Sequence, residues 1–359
     1  MAHTDTARGA AEEARPAPRK APGRPTPRGR SLLTRLDRRF LPVVGTVITL
    51  VLMLGIGQAR YSTESTSFIS MRLFSNLLVD NSYLLVLAIG MTFVILTGGI
   101  DLSVGAVVAL VGLAVARLLI AGLPLPVVLV VGVLIGTLCG LLIGIMVQVF
   151  DIQPFIASLA VMFLARGLAN VVSVQSLGIS DPNFAALAGW SLQFGEGSTL
   201  WRISISMVIA MVLLAFAFYL LHYTRFGRTV YGLGAGDDGS AVKLMGLNGE
   251  RTRILVYVIS GTCAGVAGIL FAFYTRSGFN LTGIGMELDA IAAVVIGGTL
   301  LAGGVGFILG TATGVLVYGL IQVLIAREGL DSWWTRVFIG VVLLAFVVLQ
   351  RAITVRRRT

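Results

Sequence analysis

A single carboxylate, Asp101, lies between two apolar stretches that are each long enough to cross a membrane. Residues 87–106 read LAIGMTFVILTGGIDLSVGA, so a glycine-rich turn joins the two stretches. A carboxylate in such a place is costly unless another group pairs with it or water hydrates it. We therefore predict that Asp101 lies at a substrate pathway or gate on the cytoplasmic side, rather than carrying protons.

Two further polar residues, Arg166 and Asn170, interrupt a later apolar stretch. They are four residues apart, so they share one face of a helix. An arginine that faces lipid is expensive, whereas one that faces a carboxylate or a wet pathway is tolerated. Asp101 and Asp80 are both candidate partners for Arg166, and the sequence does not choose between them.

Glu287 and Asp289 precede a short apolar run in the stretch GIGMELDAIAAVVIGG. Each is a candidate for contact with a solute that crosses the membrane. The alternative for each is a helix cap or salt bridge that fixes packing, and the same alternative applies to Asp101 and Arg166.

Several kinds of chemistry are excluded by residues that the chain lacks. A P-loop requires Gly-Lys-Ser/Thr, but Lys20 precedes alanine and Lys243 precedes leucine, and these are the only lysines. With His3 and His222 as the only histidines, a histidine-based metal or catalytic site is disfavoured. We therefore expect no bound cofactor, and a membrane enzyme is a poor alternative.

The composition indicates the elements that must position these residues. Of 359 residues, 56% are hydrophobic and 12% are charged, whereas soluble domains carry about 25% charged residues. The chain is therefore predicted to be an all-α, polytopic integral membrane protein. At about 20 apolar residues per span, about ten transmembrane helices are predicted: 41–57, 73–98, 104–120, 126–150, 155–174, 203–223, 254–274, 290–301, 307–326 and 337–349.

The net charge of +10 is concentrated at the two ends and in the loop 224–253. The positive-inside rule places all three in the cytoplasm, and this distribution argues against nucleic-acid binding. Residues 1–32 are predicted to be a disordered basic tail, 33–355 the transmembrane domain, and 356–359 a second basic tail. Trp333 and Trp334 are typical of anchors at the outer membrane interface rather than of a sugar-stacking platform.

The stretches 94–112 and 295–314 resemble each other, since each follows an apolar run, turns at paired glycines and re-enters the membrane. Duplicated, glycine-interrupted segments often mark the pathway in transporters. Because glycine, valine and leucine are abundant in this chain, chance similarity is an equal explanation.

Five stretches resemble the permease subunits of bacterial ABC importers for sugars, of the ribose type. They are GMTFVILTGGIDLSVG (90–105), QPFIASLAVMFLARGLA (153–169), MELDAIAAVVIGGTLLAGGVG (286–306), SWWTRVFIG (332–340) and LQRAITV (349–355). The last two, with MELDAIA, look like the second permease subunit of the galactofuranose importer. The resemblance covers residues 33–355, the expected permease domain.

The resemblance implies a bacterial inner-membrane machine of four parts that imports galactofuranose or a related aldose by alternating access. The other parts are a homologous second permease, an ATPase with paired nucleotide-binding domains that holds ATP and Mg²⁺, and an extracytoplasmic sugar-binding protein. Ribose, xylose or a branched-chain amino acid are alternative cargoes. A less favoured alternative is an ion-coupled transporter in which Asp101 or the Glu287/Asp289 pair relays protons.

The resemblance also implies a role for the loop 224–253. ABC-importer permeases carry a Glu-Ala-Ala-x3-Gly motif on a short cytoplasmic helix that docks into the ATPase. Here the spacing of that motif is occupied by Ser240, Ala241, Val242 and Gly246, and the glutamate is missing. The sequence predicts a short helix over 240–246 that ends at a glycine C-cap.

Overall fold

Helices account for most of the residues that the computed structural model describes, which are 41–63, 67–236, 242 and 246–355. The two predicted tails and the candidate coupling residues Ser240 and Ala241 lie outside these residues. The helices are α1 (Leu41–Tyr61), α2 (Met71–Asp80), α3 (Ser82–Leu96), α4 (Val104–Ile120), α5 (Leu125–Gln148), α6 (Pro154–Val172), α7 (Pro182–Gly189), α8 (Ile205–Tyr223), α9 (Arg225–Gly234), α10 (Gly249–Thr275), α11 (Met286–Ile296), α12 (Ile308–Arg327) and α13 (Ser332–Val355).

Two short antiparallel sheets complete the described part of the chain. Strand β1 (Leu177–Gly178) pairs with β4 (Ser277–Gly278), and β2 (Ser191–Phe194) pairs with β3 (Trp201–Ser204). The all-α prediction is therefore confirmed, with strands limited to connecting segments.

Each of the ten predicted spans corresponds to a helix, but not every helix could cross a membrane alone. Among the described residues, α1, α5, α6, α8, α10 and α12 are long and apolar enough, and the bent pair α2–α3 makes a seventh candidate. The other three predicted spans correspond to α4, α11 and α13, and α11 has only 11 residues. The number of ten crossings and the cytoplasmic termini stay predictions.

The predicted span 73–98 is broken at Asn81, where α2 and α3 meet at an angle of 61°. The buried amide group of Asn81 donates to the carbonyl oxygen of Leu77 at 2.9 Å. A short polar side chain that bonds to the preceding turn competes with the regular helix ladder. The interruption of this apolar span therefore coincides with its buried asparagine.

Helix α10 is the centre of the molecule, where it packs against α5, α3 and α4. Its contact with α5 is made through glycine. A Cβ atom on Gly136 would lie 2.3 Å from the carbonyl oxygen of Gly261 and 2.6 Å from the backbone nitrogen of Gly265. Small residues let two membrane helices approach until their backbones touch. On α5 these residues recur every fourth position: Gly132, Gly136, Gly140 and Gly144.

The two similar stretches noted in the sequence occupy corresponding places in the fold. Each ends a helix, α3 at Leu96 and α11 at Ile296, and each continues through a non-helical turn into the next helix. The two turns are joined directly, because the backbone N–H of Gly304 donates to the carbonyl oxygen of Leu96 at 2.9 Å. The two similar stretches therefore meet in the fold, and duplication stays a hypothesis.

Residues 276–285 connect α10 to α11 without forming a helix. Along this segment Gly278 contacts Gly112 of α4, and Gly283 contacts Gly105 of the same helix. These two contacts on α4 are seven residues apart, a distance of about 10 Å along a helix axis. The segment therefore runs along α4 into the bundle, and α11 begins inside it.

Candidate functional site

The carboxylate of Asp101 is completely buried and is held by hydroxyl and amide groups. Its Oδ1 accepts hydrogen bonds from the backbone nitrogen (2.9 Å) and the hydroxyl (2.7 Å) of Ser103, and its Oδ2 accepts one from the hydroxyl of Ser260 (2.7 Å). Ser260 lies near the middle of the 27-residue helix α10. Asp101 thus ties the turn between α3 and α4 to the central helix. Its role as a gate stays a prediction.

Arg166 forms no ion pair with Asp101 or Asp80 in the described part of the chain, so both candidate partners are wrong. Its Nη1 donates to the carbonyl oxygens of Asn280 (2.6 Å) and Thr282 (2.7 Å). Backbone that is not helical leaves carbonyl groups without partners, and in a membrane interior no water replaces them. The guanidinium group therefore satisfies carbonyl groups of the non-helical segment 276–285, and the carboxylate of Glu287 lies close enough to interact with its charge.

Asn170 contacts the same segment, which confirms that it shares a helix face with Arg166. The side-chain nitrogen of Asn280 donates to the side-chain oxygen of Asn170. The other amide atom of Asn280, Oδ1, is buried and has no hydrogen-bond partner in the described part of the chain. Two side chains of α6 therefore hold residues 280–282, and one buried acceptor beside them is open to a further donor.

Glu287 and Asp289 make different contacts from the first turn of α11. The Oε1 atom of Glu287 accepts from the backbone N–H of Gly285 at 3.2 Å, and a Cβ atom on Gly105 would lie 2.3 Å from its Oε2. The carboxylate of Asp289 instead lies beside the hydroxyl of Tyr318. Carboxylates are favoured in the first turn of a helix by the helix dipole. Glu287 thus packs between α11 and α4, and Asp289 points toward α12.

Gly246 has the geometry of the glycine C-cap predicted in the loop 224–253, whereas the predicted helix 240–246 lies, apart from Val242 and Gly246, outside the described residues. Its φ of 67° is left-handed, and the N–H of Leu247 donates to the carbonyl oxygen of Val242 at 3.1 Å. Both features are typical of a helix that ends at a C′ glycine. Val242 itself is buried. A cleft of about 460 Å³ opens beside this end and is lined by Gly246, Leu247, Arg225 and Arg228.

Three residues that complete these contacts, Ser260, Asn280 and Tyr318, were not singled out from the sequence. Neutral polar residues in an apolar helix are common, so Ser260 and Tyr318 gave no signal. Asn280 did give one, since it follows an apolar span in the glycine-rich stretch SGFNLTGIG. Such a stretch is typical of non-helical backbone, which requires side chains to satisfy it.

Comparison with known proteins identifies the family. Residues 73–347 match the family described as branched-chain amino acid transport system / permease component. No solved structure matches the chain.

Similar proteins match over most of the chain. It is 40% identical over 322 residues to the fructose import permease protein FruG of Bifidobacterium longum, covering 89% of this chain and 93% of the relative. It is 42% identical over 324 residues to the inner membrane ABC transporter permease protein YjfF of Escherichia coli, covering 89% of this chain and 94% of the relative. The ribose import permease protein RbsC of Escherichia coli is 36% identical over 308 residues, 85% of this chain and 92% of the relative. The chain therefore belongs to this family of ABC-transporter permeases, and it is an inner-membrane transport subunit rather than an enzyme.

Proposed function

We propose that the chain is the permease subunit of an ATP-driven importer that carries a neutral sugar, galactofuranose or a related aldose, into the cytoplasm. The observation that supports this most directly is its 40% and 36% identity to fructose and ribose import permeases over more than four fifths of the chain. The motifs MELDAIA, SWWT and LQRAITV favour galactofuranose among the sugars. Ribose and xylose are the alternative cargoes.

The polar contacts inside the bundle fit an uncharged cargo. Hydroxyl groups satisfy Asp101, and backbone carbonyl groups satisfy Arg166. Both side chains are therefore engaged by groups of the protein itself. A charged solute such as an amino acid would call for fixed opposite charges along its route, whereas a polyol requires hydrogen-bonding groups and water. The unpaired Oδ1 of Asn280 is one acceptor suited to a hydroxyl group.

The proposed machine requires partners that supply energy and cargo. An ATPase with paired nucleotide-binding domains would hold ATP and Mg²⁺, and this chain would hold neither. Closure of the ATPase would move the segment that contains Ala241, Val242 and Gly246, because a short helix between two spans acts as a lever. A homologous second permease would complete the pathway, and an extracytoplasmic sugar-binding protein would deliver the cargo.

Reconstituted transport tests this proposal. The chain, a homologous permease and the ATPase are placed in liposomes with the binding protein, and uptake of radiolabelled D-galactose, D-fructose and D-ribose is measured. We expect uptake that requires ATP and persists when a protonophore dissipates the proton gradient. Uptake driven by a proton gradient without the ATPase would instead support an ion-coupled transporter, with Asp101 or the Glu287/Asp289 pair as the relay.

The cargo is tested separately on the binding protein. We expect it to bind galactofuranose more tightly than pentoses or amino acids. A strong preference for ribose, xylose or leucine would overturn the proposed cargo and leave the assignment as an importer permease in place.

A further inference from the structure

A polar cavity of about 280 Å³ lies between α11, α12 and α13. It is separate from the contacts of Asp101 and Arg166 described above. Six residues line it: Asp289, Tyr318, Gln322, Trp333, Thr335 and Arg336. Ligand pockets for drug-sized molecules span about 300–1,000 Å³, so this cavity suits a single small solute.

The polar groups in this cavity lie close to one another. The hydroxyl of Tyr318 lies beside the carboxylate of Asp289 and beside the side chain of Gln322. Tyr318 is buried, and Gln322 and Asp289 are partly exposed. Carboxylate, amide and hydroxyl groups therefore line one side of the cavity together.

At the mouth of the cavity a guanidinium group is held by an aromatic ring. The central carbon of the Arg336 guanidinium lies 5.0 Å from the centre of the Trp333 ring, a cation–π geometry. The Trp333 side chain remains 68% exposed. The ring thus positions Arg336 opposite Asp289 and still offers apolar surface to a ligand.

We propose that this cavity is a binding subsite for one neutral monosaccharide on the permease itself; this rests on the proposed function. Asp289 and Arg336 carry opposite charges, so the cavity has no net charge and does not select an ion. Carboxylate, amide, hydroxyl and guanidinium groups together offer donors and acceptors to adjacent sugar hydroxyls. The exposed indole supplies an apolar surface for the C–H face of the ring, a different role for Trp333 from the interfacial anchor that its place in the sequence favours.

The position of the cavity fits a site for newly delivered cargo. Helix α12 begins at Ile308, beside the turn that contacts Leu96, and Gln322 lies 14 residues further along. That separation is about 21 Å along a helix axis. With the loop 224–253 in the cytoplasm, the cavity opens toward the other side of the membrane.

Direct binding tests the subsite. The chain with its partner permease and ATPase is placed in nanodiscs without the binding protein, and equilibrium binding of tritiated D-galactose is measured with D-fructose, D-ribose or L-leucine as competitors. We expect saturable binding that the sugars, but not leucine, displace. Gln322→Leu and Tyr318→Phe should each raise the Kd about tenfold, the order expected for one lost hydrogen bond. Gln193→Leu, on the exposed strand β2, should leave the Kd unchanged.

The outcomes separate this inference from the proposed function. Absence of saturable binding, displacement by leucine, or an unchanged Kd in both cavity variants would overturn the subsite. If Gln322→Leu does not yield a folded complex, Tyr318→Phe decides, because it removes a single oxygen atom. Sugar uptake by the wild-type machine is measured in parallel. Uptake without binding at the cavity would overturn only the subsite, whereas absence of any sugar uptake would overturn the proposed function.

Discussion

Individual charged residues inside this bundle are stabilised by neutral groups. Asp101 accepts from two serine hydroxyls and one backbone N–H, and Arg166 donates to two backbone carbonyls. Removing such hydrogen-bond partners, or the charged group itself, leaves buried polar groups unsatisfied. Such residues are sensitive to substitution whether or not they touch the cargo.

Replacement of Arg166 tests whether such a charged residue is sensitive to substitution. Arg166→Met removes both hydrogen bonds to residues 280 and 282 and leaves two carbonyl groups unpaired. We expect the free energy of unfolding to fall by about 3 kcal/mol, measured as a lower melting temperature in detergent. The exposed Arg117, at the end of α4, provides the matched control, and Arg117→Met should change stability by less than about 0.5 kcal/mol. Equal melting temperatures for the two variants would contradict the role given to Arg166.

The exposed ion pair between Arg60 and Glu328 makes the stability of the fold depend on pH. Hydrogen bonds from Arg60, and then from Tyr61, lower the pKa of Glu328 from 4.5 to about 2. A carboxylate with a lowered pKa in the folded state contributes stability above its unfolded pKa and loses it as the pH falls. The melting temperature of the wild type should therefore exceed that of Glu328→Gln above pH 4.5, and the two should converge toward pH 2. A difference that grows on acidification would be inconsistent with this pairing.

Helix packing is sensitive to substitution in the glycine row between α5 and α10. In Gly136→Ala the new methyl group would lie 2.3 Å from a backbone oxygen of α10, so the two helices must separate. Overpacking of this kind costs about 1–3 kcal/mol. Gly167→Ala, inside α6 with no atom within 4 Å of the new Cβ, should lose no stability. The melting temperatures of the two variants are compared in the same detergent. Similar values would show that the contact between α5 and α10 tolerates separation of the helices.

The end of the helix at Gly246 tests the proposed coupling to the ATPase. A β-branched residue is strained at a φ of 67°, whereas asparagine tolerates the left-handed region. We expect Gly246→Val to insert normally but to uncouple ATP hydrolysis from sugar uptake, and Gly246→Asn to retain most of the coupling. The ratio of sugar transported to ATP hydrolysed measures this. Undiminished coupling in Gly246→Val would argue against docking at this helix end.

Elements whose limits coincide with composition changes were predictable from the sequence. Helix α4 has the predicted limits, 104–120, because glycine and serine precede it and a turn follows. Helix α1 extends beyond its predicted end at residue 57 because Arg60 and Tyr61 pair with Glu328, a contact that is 267 residues or more distant in sequence. The hydrogen-bond partners of Arg166 were not predictable, because every residue has a backbone carbonyl group and the sequence does not indicate which of them lie beside this side chain.

Two patterns visible in the sequence were not used. Glycine at every fourth position from 132 to 144 is the pattern of close helix packing, and it lies on the face of α5 that contacts α10. Asn81 marks the bend between α2 and α3. Both patterns are missed when spans are located by apolar length alone. That length measures how hydrophobic a segment is and does not show which helix face packs against a neighbour.

The orientation of the whole molecule follows from its charges and can be measured directly. In a background with Cys139 and Cys263 replaced, single cysteines are introduced at two exposed positions, Ser198 and Gly236. The positive-inside rule predicts that an impermeant maleimide labels Ser198→Cys in intact cells and labels Gly236→Cys only after permeabilisation. The reverse pattern would place both termini outside. Equal access to both positions would contradict the prediction that α8, which lies between them, crosses the membrane.

The non-helical segment 276–285 has a consequence for biosynthesis. Helix α11 has 11 residues and cannot partition into lipid as an independent span. Its approach segment is satisfied by α4 and α6, both of which leave the ribosome earlier. We therefore expect integration of α11 to follow that of α4 and α6, and to depend on packing against them rather than on hydrophobicity alone. The C-terminal third of the chain, made alone, has no such surface to receive it.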